Sequence, residues 1–180
     1  MKTAGTAAIA GIACLGAMLA AAPVKAQDGP HLPGVGGPSS FSAGVYLPSS
    51  GEAKDSGNTQ LNLNYRYTLP VENELDVPAR TVLDLGAQIG ATHGKHNTII
   101  PVTVGEVIGL NGKSPAATGN AFAGVGVGAY FMNQSGLSSA VRLGGYGELG
   151  YNISDSLFVD GRYQFVQHGN GAMINLGYRF

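Results

Sequence analysis

Cysteine is nearly missing from this chain, tryptophan is absent, and charged residues make up only 12% of 180 positions. The single thiol, Cys14, lies in the N-terminal apolar run, so a chain trimmed of that run has no disulfide framework and no cysteine metal site. A formal net charge of −1 excludes the basic footprint of a nucleic-acid binder. Past that run there is no second apolar segment of roughly 18 or more residues, so the remainder cannot cross a membrane as helices. One route across stays open, a closed barrel in which every backbone group pairs between strands. Neither a Gly-x-x-x-x-Gly-Lys-Ser/Thr phosphate loop nor a Gly-x-Ser-x-Gly nucleophile elbow occurs. The string Gly124-x-Gly-x-Gly sits within a strand pattern with no helix after it, which reads as close packing rather than nucleotide binding.

Glycine, in contrast, is abundant, 29 of 180 residues. Much Gly and few charges suit a β protein with tight turns and close-packed strands. Residues 1–26 have the three regions of a cleavable signal peptide: basic Lys2, an apolar stretch from Ala7 to Ala22, and Val24-Lys25-Ala26 with small residues at the −3 and −1 places. Without Lys2 and Lys25, eight basic residues face eleven acidic ones, a net of −3. Residues 27–40 are Pro/Gly-rich and aperiodic, a flexible lead-in. The domain proper is expected over 41–180.

From Phe41 onward the dominant signal is period two, the strand period. Leu61, Leu63, Tyr65, Tyr67 and Leu69 alternate with Gln60, Asn62, Asn64, Arg66 and Thr68. Leu157, Val159, Gly161, Tyr163 and Phe165 alternate with Phe158, Asp160, Arg162, Gln164 and Val166. The last strand places Ala172, Ile174, Leu176, Tyr178 and Phe180 opposite Met173, Asn175, Gly177 and Arg179. Shorter patterns cover 41–47, 83–90, 123–131 and 141–151. A fourth strand over 98–108 is interrupted by Pro101 and Glu106. The expected count is eight, most near the ~10 residues a tilted membrane strand needs. Turn chemistry separates them, as in Gly109-Leu-Asn-Gly112 and His168-Gly-Asn-Gly171.

Alternation alone does not say which face meets water. The polar face holds Arg66, Asp84, Arg142, Glu148, Asp160, Arg162 and Arg179 among Gly and Asn, near charge balance and without lysine. A soluble protein's outer face carries more Lys and Glu and less Gly. The set therefore reads as an internal charge network, with Gly making room for long side chains, in a small barrel filled by side chains. Tyrosines and phenylalanines of the apolar face cluster toward strand ends, as interfacial aromatic girdles do.

Gly124-Val-Gly-Val-Gly-Ala-Tyr130, Gly147-Glu-Leu-Gly-Tyr-Asn-Ile-Ser-Asp-Ser156, Val159-Asp-Gly-Arg-Tyr163 and Gly177-Tyr-Arg-Phe180 together resemble the small bacterial outer-membrane β-barrels of the OmpA and OmpX type. The likeness covers about the last 60 residues by motif and the first half by periodicity. It implies an all-β fold, an eight-stranded antiparallel up-and-down transmembrane barrel behind a cleavable signal peptide, located in the bacterial outer membrane. It also implies a C-terminal assembly signal in Leu176, Tyr178 and Phe180, read by the barrel-assembly machinery, with outer-membrane lipid as the other partner. Asn175 departs from the pattern, which usually has Gly there. In that topology the outer loops fall near 48–58, 92–97, 132–139 and 167–170, joined on the other side by three turns.

No catalytic residue, cofactor or metal is expected. His93 and His96 lack further ligands nearby. Arg162-Tyr-Gln-Phe-Val-Gln-His168-Gly-Asn170 is superficially similar to a run in lipid A deacylases, but Asn170 stands where the nucleophilic Ser should be and no acid follows. Glu52, Asp55, Glu72, Glu74 and Asp76 read as loop-solvating charges. A non-enzymatic structural or surface-interaction role leads. The rival is a narrow conduit for small or apolar solutes, and the state of the lumen separates the two.

Overall fold

The computed structural model describes residues 39–70 and 78–180. The expected signal peptide, and the lead-in up to residue 38, lie outside the described residues. Eight strands follow one another: β1 Ser39–Pro48, β2 Gln60–Thr68, β3 Ala79–Thr92, β4 Lys95–Gly109, β5 Ala121–Gln134, β6 Ala140–Asn152, β7 Leu157–Val166 and β8 Gly171–Arg179. Each pairs antiparallel with its sequence neighbour, and β8 closes on β1, giving a closed barrel. Ser39 and Ser40, read as lead-in, are part of β1 and pair with Tyr67 and Arg66. Following paired residues from Thr68 through Val82, Gly105, Gly126, Tyr146, Gln164 and Gly171 ends at Pro48, whereas Thr68 itself lies one step beyond the Ser39–Tyr67 pair. The circuit thus climbs by about ten residues, the stagger that tilts strands and sets barrel width.

The fourth strand runs 15 residues, despite Pro101. Pro101 pairs with Tyr130 on the β5 side. On the β3 side the ladder skips from Leu85–Val102 to Gln88–Ile99, so the missing donor falls where no bridge forms. Gly86 lies there, and a Cβ on it would sit 2.9 Å from the proline ring. The loop read over 92–97 shrinks to His93-Gly94, both at positive φ (47° and 77°), the two-residue hairpin turn.

The barrel's two ends differ. At the loop end are the connections 49–59, 93–94, 135–139 and 167–170, the first carrying a short helix, α1 Gly51–Lys54. At the terminal end, where β1 begins and β8 finishes, the 110–120 connection tucks beneath the wall. Asn152 donates to the carbonyls of Pro115 and Ala117, both at 3.0 Å, and Ala116 is buried.

Polarity is inside out. Leu143 is 85% exposed, Val125 66% and Phe165 60%, whereas Asn97, Asp84, Gln164 and Glu148 are buried. A wall of this kind is stable against hydrocarbon and unstable against water.

Candidate functional site

The interior is layered. Toward the loop end, Tyr46, Ile99, Tyr130, Met132, Val166 and Met173 form an apolar cluster. Toward the terminal end, Val82, Val107, Phe122 and Phe158 form another. Between them stands a quartet of charges.

Arg66 on β2 is the direct cross-strand neighbour of Asp84 on β3, and Glu148 on β6 is that of Arg162 on β7. The two pairs meet across the lumen. Arg66 reaches Asp84 at 2.7 Å and Glu148 at 2.8 Å; Arg162 reaches Asp84 at 3.2 Å and Glu148 at 2.9 Å. Every cation thus touches both anions, and the set is neutral. Arg66 is bidentate on Asp84 through Nε and Nη2, the geometry that guanidinium suits best. Tyr146 donates its hydroxyl to Asp84 at 2.8 Å, and the Arg162 guanidinium lies 4.0 Å over its ring. Gly126 is needed here, because a Cβ on it would stand 2.3 Å from the Tyr146 ring.

Of the other charges expected in this network, Asp160 lies beside it, accepting from Asn175, which in turn accepts from Asn62. Asn175, the departure from the terminal pattern, is thus an interior polar link. Arg179 sits lower, donating to Asn152 at 2.6 Å and lying 4.4 Å over Phe158. Arg142 faces inward nearer the loop end, and no ion pair reaches it among the described residues. The single seven-member network is therefore a quartet with two flanking contacts and one outlier. Inward parity was readable along each strand, but height within the barrel was not. Tyr146 was missed as a member because a phenol carries no charge pattern. Leu176, Tyr178 and Phe180 all point outward, each more than half exposed.

Above the quartet a band of amides seals the loop end. Gln134 donates to Asn97, Asn97 to Gln60, and Gln60 to the carbonyls of Ala53 and Gly57 in the first loop. Gln88 and Gln164 bond each other at 2.7 and 2.9 Å. The 167–170 connection folds inward onto this band: its carbonyls accept from Gln134, Gln164 and Tyr46. His168 also donates to Glu52 at 2.9 Å, clasping this connection to α1. Glu52's carboxyl is held below its ordinary range, first by a backbone hydrogen bond and next by the one from His168.

His96 bonds Ser135 and Asn133 rather than joining His93 in a cluster. Among the described residues no three His, Cys, Asp or Glu side chains converge as a metal site.

A closed, apolar-walled barrel with a filled polar interior is the membrane-spanning class of all-β protein, and its eight-stranded form is the fold of small outer-membrane barrels. The chain is similar in structure to neisserial surface protein A, with a TM-score of 0.54 at 12% identity, over 78% of this chain and 93% of that one. It is also similar to the Yersinia pestis outer-membrane protein Ail in a phospholipid bilayer nanodisc, with a TM-score of 0.50 at 21% identity, over 80% and 99%. No family model matches the sequence, and no curated protein matches it.

Proposed function

We propose that this chain is an integral protein of the bacterial outer membrane, its terminal end toward the periplasm, acting as a plugged structural or surface-interaction barrel rather than a conduit or an enzyme. The observation that carries the reading is the quartet of Arg66, Asp84, Glu148 and Arg162, which fills the lumen with direct ion pairs of 2.7–3.2 Å. Apolar layers on both sides and the inward-folded 167–170 connection add to the block. The location is supported by the inside-out wall and by the fold shared with an outer-membrane protein of Yersinia pestis. An ion crossing the lumen would have to separate paired buried charges, each costing several kcal/mol to leave alone. Refolded protein in planar bilayers is expected to give no reproducible conductance steps. Regular steps of defined size would establish the conduit instead.

A further inference from the structure

The terminal mouth of the barrel holds more positive charge than its acids neutralise. Asp84 and Glu148 are matched by Arg66 and Arg162, one cation for each anion. Arg80 and Arg179, both inward near this mouth, face one further buried acid, Asp160, which is bonded to Asn175 and forms an ion pair with neither among the described residues, so with Arg66 and Arg162 they make four inward arginines against three acids. No acid or acceptor holds Arg80 among the described residues. Arg179 spends Nη2 on Asn152, but its Nη1 is buried with no partner among the described residues. An unpaired guanidinium N–H, shut away from water, is costly.

These two side chains and Arg66 line one cavity, together with the hydroxyl-bearing Ser40 and Thr68 and the ring of Phe122. Water-sized groups have about 30 Å³ in which to sit, and the whole recess, counting its open mouth, is about 410 Å³. A single water needs roughly 10–15 Å³ by the same measure. The enclosed part therefore suits a small anionic group and excludes a sugar ring or a peptide.

We propose that this recess is a binding site for a phosphate-class oxyanion, clamped by Arg80 and Arg179 with Arg66 behind it. Arg80 and Arg179 present guanidinium donors to one space from two strands, which suits the several directions of a tetrahedral oxyanion's oxygens better than a planar carboxylate, while Arg66, its fork held by Asp84 and Glu148, adds positive charge. Occupancy gives Nη1 of Arg179 its missing acceptor and offsets the surplus charge without disturbing the quartet. The site is independent of the role proposed above, since a plugged barrel and a conduit would carry it alike.

The test uses the whole barrel refolded in a sugar-headed, phosphate-free detergent, with inorganic phosphate titrated by calorimetry and by the Nε–H resonances of the arginines. Saturable binding is expected, with Arg80 and Arg179 resonances moving together. Arg80→Gln and Arg179→Gln should each weaken it by about tenfold or more, and Arg142→Gln, near the other end, should leave it unchanged. Heat-dependent gel mobility of each variant reports that the barrel still folds. A second arm presents the phosphate as phosphatidylglycerol in nanodiscs of the same protein: a response there alone assigns the oxyanion to a lipid headgroup, and a response to free phosphate assigns it to a soluble ligand. Absence of both responses overturns the proposal, as does binding indifferent to Arg80→Gln and Arg179→Gln. Binding that emerges only after Glu72, Glu74 and Asp76 of the neighbouring connection are changed to amides overturns it too, because the arginines then serve the chain's own acids.

Discussion

At the scale of single residues, the quartet shows why a charge inside a barrel cannot be valued alone. Each carboxylate touches two guanidinium groups, so losing one member leaves the others underpaired in a dry interior. Glu148→Leu and Arg162→Met are each expected to cost about 3–5 kcal/mol, the usual cost of breaking a buried pair. The double variant should cost less than the sum by about 1–3 kcal/mol, because the two groups contact each other. Urea unfolding followed by circular dichroism measures this in a chain without tryptophan; additive losses would refute the coupling. Gly126 offers a second comparison. Gly126→Ala drives a methyl into the Tyr146 ring and should cost about 1–3 kcal/mol by overpacking. Gly147→Ala faces outward with nothing within 4 Å and should be near neutral in the same assay.

At the scale of elements, the loop-end connections are tied to the barrel rather than free of it. Glu52 on α1 and His168 in the 167–170 connection meet although 116 residues separate them. Since Glu52's folded carboxyl lies below its ordinary value, the clasp's contribution is present above that value and lost as pH falls through the folded one. An NMR titration should place the Glu52 midpoint below that of an ordinary glutamate, and His168→Ala should raise it without restoring it fully, since the backbone bond remains. A midpoint indifferent to His168→Ala would show that the clasp does not form. Strand β4 shows a different dependence on context. Glu106 on it faces outward between Val104 and Ile108, its carboxylate accepting from Thr81. A charge on a lipid-facing wall is disfavoured. Glu106→Leu is therefore expected to stabilise the barrel, on the order of 1 kcal/mol, by the same urea measurement.

For the molecule as a whole, closure joins β8 to β1 and leaves no free sheet edge among the described strands. Such a barrel should resist detergent until heated, so unboiled protein is expected to run at a different apparent mass from boiled protein in a detergent gel. Identical mobility in a preparation with full β circular dichroism would argue against a closed membrane barrel. The outward valine and leucine wall of β5 and β6 and the polar lumen belong to one arrangement: in lipid, apolar side chains satisfy the solvent, and polar ones must find partners inside.

Much of this was legible in the residues themselves. Period two in 60–69, 157–166 and 172–180 identified strands and sorted their faces, because a side chain's face follows from parity alone. Scarcity of lysine on the polar face, with abundant glycine, pointed to the inside. What parity does not contain is register between strands far apart in sequence. That Arg66 and Glu148 would touch, that Arg142 would stand away from them, and that Arg80 and Arg179 would share a mouth depended on eight ladders and the stagger on closure. Pro101 shows the same limit: its cost was readable locally, but its tolerance rests on Gly86 in the neighbouring strand. Local chemistry determined the elements and their two faces; only the closed tertiary structure decided which inward charges neutralise one another and which remain available.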